Sequence, residues 1–562
     1  MQNALLLQGN PFTIVDCLHI GGAMRIRRFQ IIIWSLLIAA YLTGCDYKKD
    51  ANSDVLNKDV ADEEFSHDDS GDNPETDAGG NSDEDNAVPE IIPVYLDGEK
   101  EIVYTVEAED GIFTGNVRIE SSSTGYHGTG YVVGFEADED TCTVLVSVEQ
   151  DGMYDLHFIS ASIGGYKDNY VLVDGLNVGV IATDSKDFSE SVLEHVYLTA
   201  GEHEVTVKKY WGWIMLDRVE VHTSRQINPD KYKIKPILAN KNASENTKRL
   251  MSYLCDIYDE YFLSGQYCDT GQYGKEFAVI KKTTGKTPAI LGLDFMEYTP
   301  SRVENGSRGR QTELAIDFWE DGGIVTFCWH WNAPSKYLTK EWYRGFYTEA
   351  TNINLKKIMN GQDKEGYDLL MRDIDAIAAE LLKLKEAEVP ILWRPLHEAS
   401  GGWFWWGASG PEAYIELYKL LYDRLTNEYN LNNLIWVWNG QDKDWYPGDE
   451  YVDIIGEDIY PGERVYTSQI ARYLKALGYT NSAKLTYLTE NGCLFDPDLA
   501  IRDGAMWGSW CTWGGEFVAK DIGIFTLSEQ YTDANMLIKV YSHDNVLSLE
   551  DLPDITSYPI RE

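Results

Sequence analysis

Between Glu101 and about Thr223, apolar and polar residues alternate in short runs. The runs Tyr131–Phe135, Thr143–Val148, Tyr154–Ile159, Tyr170–Val173, Glu204–Lys208 and Met215–His222 each read as a strand with one buried face. Turn pairs such as Asp151-Gly152 and Asp174-Gly175 separate them, which predicts a β-sandwich. From about Ile237 the period changes. Leu370, Ile374, Ile377, Leu381 and Leu384 recur at spacings of three and four and predict a helix. Pro411 suits a first helical position ahead of Tyr414, Leu417, Leu420 and Leu421. Eight apolar runs alternate with such segments: Phe262–Gln266, Pro288–Asp294, Gly323–Trp329, Pro390–Leu396, Leu434–Asn439, Val452–Ile459, Leu485–Thr489 and Ala505–Thr512. Eight β/α units in this length predict a (β/α)8 TIM barrel. The expected architecture is multidomain: a jelly-roll-like sandwich over 96–225, a linker over 226–240 and the barrel over 241–562.

The segment before the sandwich has a different composition. Met24-Arg25-Ile26-Arg27-Arg28 is basic, Phe29 to Tyr41 is apolar but short for a membrane span, and Leu42-Thr43-Gly44-Cys45 follows. This resembles a bacterial signal peptide with a lipobox over 1–45, translation starting at Met24 and Cys45 taking the lipid; a plain signal anchor is the alternative. Asp46 to Glu90 carries sixteen acids against three lysines, so 46–95 is expected to be an acidic, disordered tether. The expected location is the bacterial cell envelope, with the membrane engaged through the lipid on Cys45. The whole chain carries a net charge of −43, which argues against nucleic acid as a partner. The 8 cysteines show no zinc spacing; Cys255 with Cys268 is a candidate pair, and several of those after Cys45 read as small buried residues.

Chemistry concentrates where the barrel strands end. Trp393-Arg394-Pro395-Leu396-His397-Glu398 turns from apolar to charged, and Trp403-Phe404-Trp405-Trp406-Gly407 follows at once. Charge at the end of a buried strand is costly unless paired or functional. An acid beside indoles suits a sugar, which offers a glycosidic oxygen to protonate and a C–H face to stack. The second acid is Glu490, ending the seventh run. Active sites of this fold lie at the C-terminal ends of the strands, so the two carboxyls are expected to face each other across one mouth, at the shorter separation of a retaining glycosidase. Glu398 is expected to be the acid/base, its pKa raised by the tryptophan-lined loop, and Glu490 the nucleophile. Tyr460 would donate a hydrogen bond to Glu490, and Arg394 would stabilise its charge. His397 either orients Glu398 or contacts sugar, and His330 either packs in the core or contacts substrate. Trp403 and Trp513 are candidates for stacking, with Trp507 and Trp510 near alternatives to Trp513. Of Trp436 and Trp438, one is expected to face the helices. No phosphate-binding loop, His-Glu-x-x-His or dinucleotide fingerprint is present.

The Trp-Arg-Pro-Leu-His-Glu run resembles glycoside hydrolase family 26, mostly endo-β-1,4-mannanases. Phe327-Cys328-Trp329-His330-Trp331, Trp445-Tyr446-Pro447-Gly448-Asp449 and Val452 to Tyr460 carry the same likeness. It covers nearly all of 240–545 and implies a retaining mechanism with no cofactor for catalysis. It also implies that His330, His397, Trp403, Tyr460 and Trp513 surround the sugar, and Arg394 is counted with them as substrate-binding. Its expected partner is β-mannan or manno-oligosaccharide. Some members of the family act on β-1,3-xylan or mixed-linkage β-glucan, or release mannobiose from chain ends. Glu107-Ala108-Glu109, Gly125 to Val132 and Leu216 to Val221 resemble carbohydrate-binding modules of families 35 and 6. That likeness implies a structural calcium held by Glu107, Glu109 and Asp217. Tyr210-Trp211-Gly212-Trp213 would suit sugar stacking.

Overall fold

The structure, a computed structural model, describes residues 91–520 and 525–561. The expected signal peptide, the lipidation site Cys45 and most of the acidic tether lie outside the described residues.

Residues 102–223 form two antiparallel sheets packed face to face. One contains Ile102–Glu107, Arg118–Glu120, Tyr131–Val133, Gly152–Ser162, Ser189–Leu198 and Ile214–Thr223; the other contains Ile112–Thr114, Thr141–Val148, Lys167–Val173, Leu176–Thr183 and Gly201–Lys209. Alternation does the work expected of it: Val144, Val146, Val205 and Val207 point inward against Leu156, Phe158 and Leu216. The strand Ser189–Leu198 escapes the pattern because of a bulge. His195 is left-handed (φ 64°) and its N–H bonds Asp155 Oδ1 at 2.9 Å, so Leu193, Val196 and Leu198 face inward at uneven spacing.

The linker is fixed to the barrel. Lys231 is buried and its ammonium donates to the carbonyls of Leu477, Thr480 and Ser482 at 3.1, 3.0 and 3.0 Å.

Eight parallel strands close the barrel: Gly265–Tyr267, Ile290–Asp294, Ile324–Trp329, Ile391–Pro395, Leu434–Trp438, Ile454–Ile459, Leu485–Asn491 and Trp510–Thr512, with Gln266 paired to Thr512 at the seam. The first strand differs from expectation. Phe262–Leu263 instead pairs with Val546–Leu547 outside the barrel. The barrel strand begins at Gly265, where a Cβ would lie 2.3 Å from the Trp510 carbonyl. The eighth strand is also shorter than its apolar run, since Trp507 turns into the helix layer and donates to the Ser468 carbonyl at 3.0 Å.

The helix Lys364–Glu386 buries the expected stripe and is capped by Asp363, which accepts from Gly366 N at 2.9 Å. Trp436 and Trp438 are corrected: both face the helices. Residues two apart in a strand share a face, and these pack on Tyr422 and Tyr479. Ile435 and Val437 fill the barrel interior. Cys255 and Cys268 are unpaired, and Cys268 Sγ donates to Glu276 Oε2 at 3.1 Å.

Candidate active site

The fourth strand ends in a double kink. Leu396 and Glu398 are both left-handed (φ 54° and 53°), an arrangement that costs about 1–3 kcal/mol per residue. It is held from outside. The Glu398 N–H reaches both the carbonyl (2.7 Å) and Oδ1 (3.2 Å) of Asn439, at the end of the fifth strand. Trp406 Nε1 donates to the His397 carbonyl at 2.8 Å. The kink lifts Glu398 into the mouth while His397 stays buried beneath it.

A bulge aims Glu490. Glu457 pairs with Leu488, but the next residue, Asp458, pairs with Glu490, so Thr489 is the extra residue. Asp458 and Glu490 therefore stand side by side on the sixth and seventh strands. Glu457, one residue earlier, faces the helix layer and binds Arg472 and Tyr479. Oxygens of Glu398, Asp458 and Glu490 lie within 4.8 Å of one another. Arg394 sits beneath, donating to Asp458 Oδ2 at 2.7 Å and to Glu490 Oε1. Asp458 Oδ1 also accepts from Asn439 Nδ2 (2.9 Å) and Thr489 Oγ1 (2.7 Å). Tyr460 donates its hydroxyl to Glu490 Oε2 at 2.7 Å.

These surroundings separate the carboxyls. Burial pushes Glu398 well above the ordinary carboxyl range, and the charges of Asp458 and Glu490 push the same way against the Trp403 Nε1–H bond (2.8 Å). Glu490 accepts from the Arg394 cation at Oε1 and from the Tyr460 hydroxyl at Oε2. Burial also raises Asp458, to about 7, although Arg394 opposes it. The site thus sets a Glu398 that burial keeps protonated against a Glu490 held by a cation and a hydroxyl, with oxygens of the two within 4.8 Å.

The other expected residues divide. Trp403 is 37% exposed and crosses Gly401, where a Cβ would lie 2.0 Å from its ring. Tyr460 is 43% exposed. Trp513 stands at the mouth, its ring 4.8 Å from that of Tyr267 and 5.8 Å from that of His330. Trp507 and Trp510 are core residues. Trp405 and Trp406 are buried as well, so the aromatic loop presents one open indole rather than a row of them. Arg394 is fully buried and bonds Glu490, the contact expected of it, so its guanidinium does not line the open mouth. His397 is also almost wholly buried, and burial with the neighbouring Arg394 charge holds it well below the usual imidazole range. His330 retains a partly open edge over Asp294. Asp458, Asn439 and Thr489 were legible as polar strand ends or neighbours, but nothing in the sequence marked the bulge that unites them.

In the sandwich, Glu107 and Glu109 crowd one glycine. A Cβ on Gly128 would lie 2.5 Å from Glu109 Oε1 and 3.1 Å from Glu107 Oε2. The Oε2 atoms of both glutamates are buried without a hydrogen-bond partner. Asp217 departs from the expected trio: its oxygens accept from His127 N (2.8 Å) and Arg218 Nη1 (2.6 Å).

A TIM barrel whose mouth brings two glutamates together, one with its pKa raised by burial and one held by an arginine, beside open aromatic rings, defines a glycoside hydrolase. Residues 239–540 match glycosyl hydrolase family 26, and residues 104–224 match carbohydrate binding module family 35. The chain belongs to glycosyl hydrolase family 26. A mannan endo-1,4-beta-mannosidase of Thermothelomyces thermophilus is 39% identical over 80% of this chain and 90% of its own length. Mannan endo-1,4-beta-mannosidase B of a Piromyces species is 34% identical over 83% of this chain and 80% of its own length. The crystal structure of the Podospora anserina GH26-CBM35 β-(1,4)-mannanase, 37% identical, superposes with a TM-score of 0.57 over 81% of this chain and 99% of that one.

Proposed function

We propose that this protein is a retaining endo-β-1,4-mannanase that hydrolyses the backbones of mannan, galactomannan and glucomannan. The observation that carries the mechanism is the pairing of Glu398 and Glu490 oxygens within 4.8 Å, with burial raising the pKa of Glu398 and with Arg394 and Tyr460 holding Glu490. Glu490 attacks the anomeric carbon and forms a glycosyl ester while the C–O bond to the leaving sugar breaks. Glu398 gives its proton to that oxygen. It then takes a proton from water, whose oxygen attacks the same carbon and releases Glu490. Two inversions restore the β configuration. Tyr460 steadies Glu490 between the steps, and Trp403 supports Glu398 in its ionised form.

The test is reducing-sugar release with product sizes, on mannan, galactomannan, β-1,3-xylan and mixed-linkage glucan. Several oligosaccharide lengths from mannans alone are expected. Mannobiose alone from the outset would replace the endo reading, and cleavage of xylan or glucan alone would replace the substrate.

Three finer readings accompany this. Glu107 and Glu109 suit a hard cation such as calcium, since their unpartnered buried oxygens are otherwise costly; bound, it would brace the sandwich. The exposed rings of Tyr210, Trp211 and Trp213 offer a sugar platform, tested by mannan affinity gels with Trp211→Ala and Trp213→Ala. The sequence around Cys45 supports a lipid-anchored protein of the bacterial cell envelope, with the acidic tether spacing the enzyme from the membrane. A Cys45→Ser protein that still partitioned with membranes and took up labelled fatty acid would refute that anchor.

A further inference from the structure

Asp294 takes no part in the chemistry above, yet it is a buried carboxylate with two of its three hydrogen bonds to His330. It ends the second strand. Its Oδ1 accepts from the N–H groups of Met296 (2.8 Å) and His330 (3.1 Å), and its Oδ2 accepts from His330 Nδ1 at 2.7 Å. Burial would raise its pKa, but the His330 ring and these N–H groups outweigh that and hold it below the usual carboxylate range. An ionised Asp294 can only accept, so the proton of that short bond belongs to His330 Nδ1.

The second ring nitrogen carries the argument onward. His330 Nε2 lies 3.2 Å from His397 Nε2. With its Nδ1–H given to Asp294, His330 can accept at Nε2 from an N–H on His397 Nε2. His397 Nδ1 is then bare, which matches its surroundings: it is buried without a hydrogen-bond partner, and the nearby Arg394 charge disfavours a further proton on the ring. One assignment of protons satisfies the chain Asp294–His330–His397. If Nδ1 of His330 lost its proton, both rings could no longer keep their bonds.

His397 also lies between the two left-handed residues of the kink that aims Glu398. Its carbonyl is held by Trp406 and the Glu398 N–H by Asn439, so its ring is the third restraint on that turn. We propose that Asp294 is a positioning residue for the reaction: through the His330 tautomer it locks the His397 ring, and thereby the backbone turn that directs the Glu398 carboxyl at the leaving oxygen. Strands two, three and four are linked by this one chain. The proposal rests on Glu398 being the proton donor.

The experiment compares wild type, Asp294→Asn and Glu398→Ala on mannan and on an aryl mannobioside with an activated leaving group, whose departure needs no proton. The burst of aryl release reports the first step alone. A misaimed Glu398 should lower kcat on mannan about tenfold or more and leave the burst rate near that of wild type. It should leave KM for mannan nearly unchanged. A general loosening of the mouth would lower both rates together, and that result, or no change in either, would overturn the proposal. Glu398→Ala separates the two readings: if it shows no difference between the substrates, the donor assignment itself fails. Nitrogen NMR of the histidine rings supplies the second readout, with His330→Gln assigning the signals. Wild type should show His330 protonated at Nδ1, and Asp294→Asn should shift protonation towards Nε2; an unaltered tautomer would refute the chain even where activity falls.

Discussion

Arg394 and Glu490 form an ion pair on the barrel axis side of strands four and seven, with the guanidinium wholly shielded from solvent. The same guanidinium binds Asp458, so one cation serves two buried carboxylates. Replacing it by the apolar Arg394→Met should cost about 3–5 kcal/mol, because two acids are left without their partner. Urea unfolding should show this loss, and mannan hydrolysis should disappear. Arg394→Lys keeps the charge but not the two-pronged geometry; it should recover much of the stability and little of the turnover. Parental stability in Arg394→Met would mean that the acids are neutral rather than paired.

Glu490→Ala should abolish turnover on every substrate while oligosaccharide binding persists, measured by calorimetry. No glycosyl ester can form without it. With Glu490 intact, a fluorinated mannoside should leave a covalent adduct on that residue by mass spectrometry, and an adduct elsewhere would move the nucleophile.

Glu398 gives a stability prediction with a definite sign. Its folded pKa lies above its unfolded value, so the fold holds the proton more tightly than the unfolded chain does. That contribution is complete below about pH 4, the unfolded carboxyl range, and is lost as pH rises through the folded pKa. Glu398→Gln removes the titration and can still accept from Trp403. Its melting temperature should exceed that of the parent increasingly as pH rises from about 4, with little difference below. A constant difference across pH would show that burial does not hold the proton there.

If Glu107 and Glu109 bind calcium, the melting temperature of the sandwich should rise with calcium and fall with chelator. At a hundredfold excess over Kd the gain is about 2.7 kcal/mol. The double variant Glu107→Gln, Glu109→Gln should lose the response, while Asp217→Asn, whose oxygens are already engaged, should keep most of it if it folds. Equal melting with calcium and with chelator in wild type would remove the metal.

The basis for locating the acids was local. Alternation placed the sandwich strands, the 3.6-residue period placed Lys364–Glu386, and abrupt charge after apolar runs marked Glu398 and Glu490 as strand-end residues. Each of these signals depends on neighbours along the chain, and a strand or helix expresses them directly.

What the chain order could not show was whatever depends on a second strand. Ser189–Leu198 was invisible because a bulge breaks its period. Phe262–Leu263 resembles a barrel strand until Gly265 is seen to fit against Trp510. Trp405, Trp406 and Trp403 look alike in sequence, but only their packing decides that the first two are core and the third is open.

The sequence by itself determined the sandwich, the barrel and the strand-end positions of Glu398 and Glu490, since periodicity and strand-end chemistry are written residue by residue. Only the tertiary structure decided what surrounds each carboxyl. That depends on the Thr489 bulge beside Asp458, on one buried arginine shared by two acids and on the kink at Leu396 and Glu398. Each is a relation between strands far apart in the chain, and protonation follows the charge and solvent that those strands bring together in space.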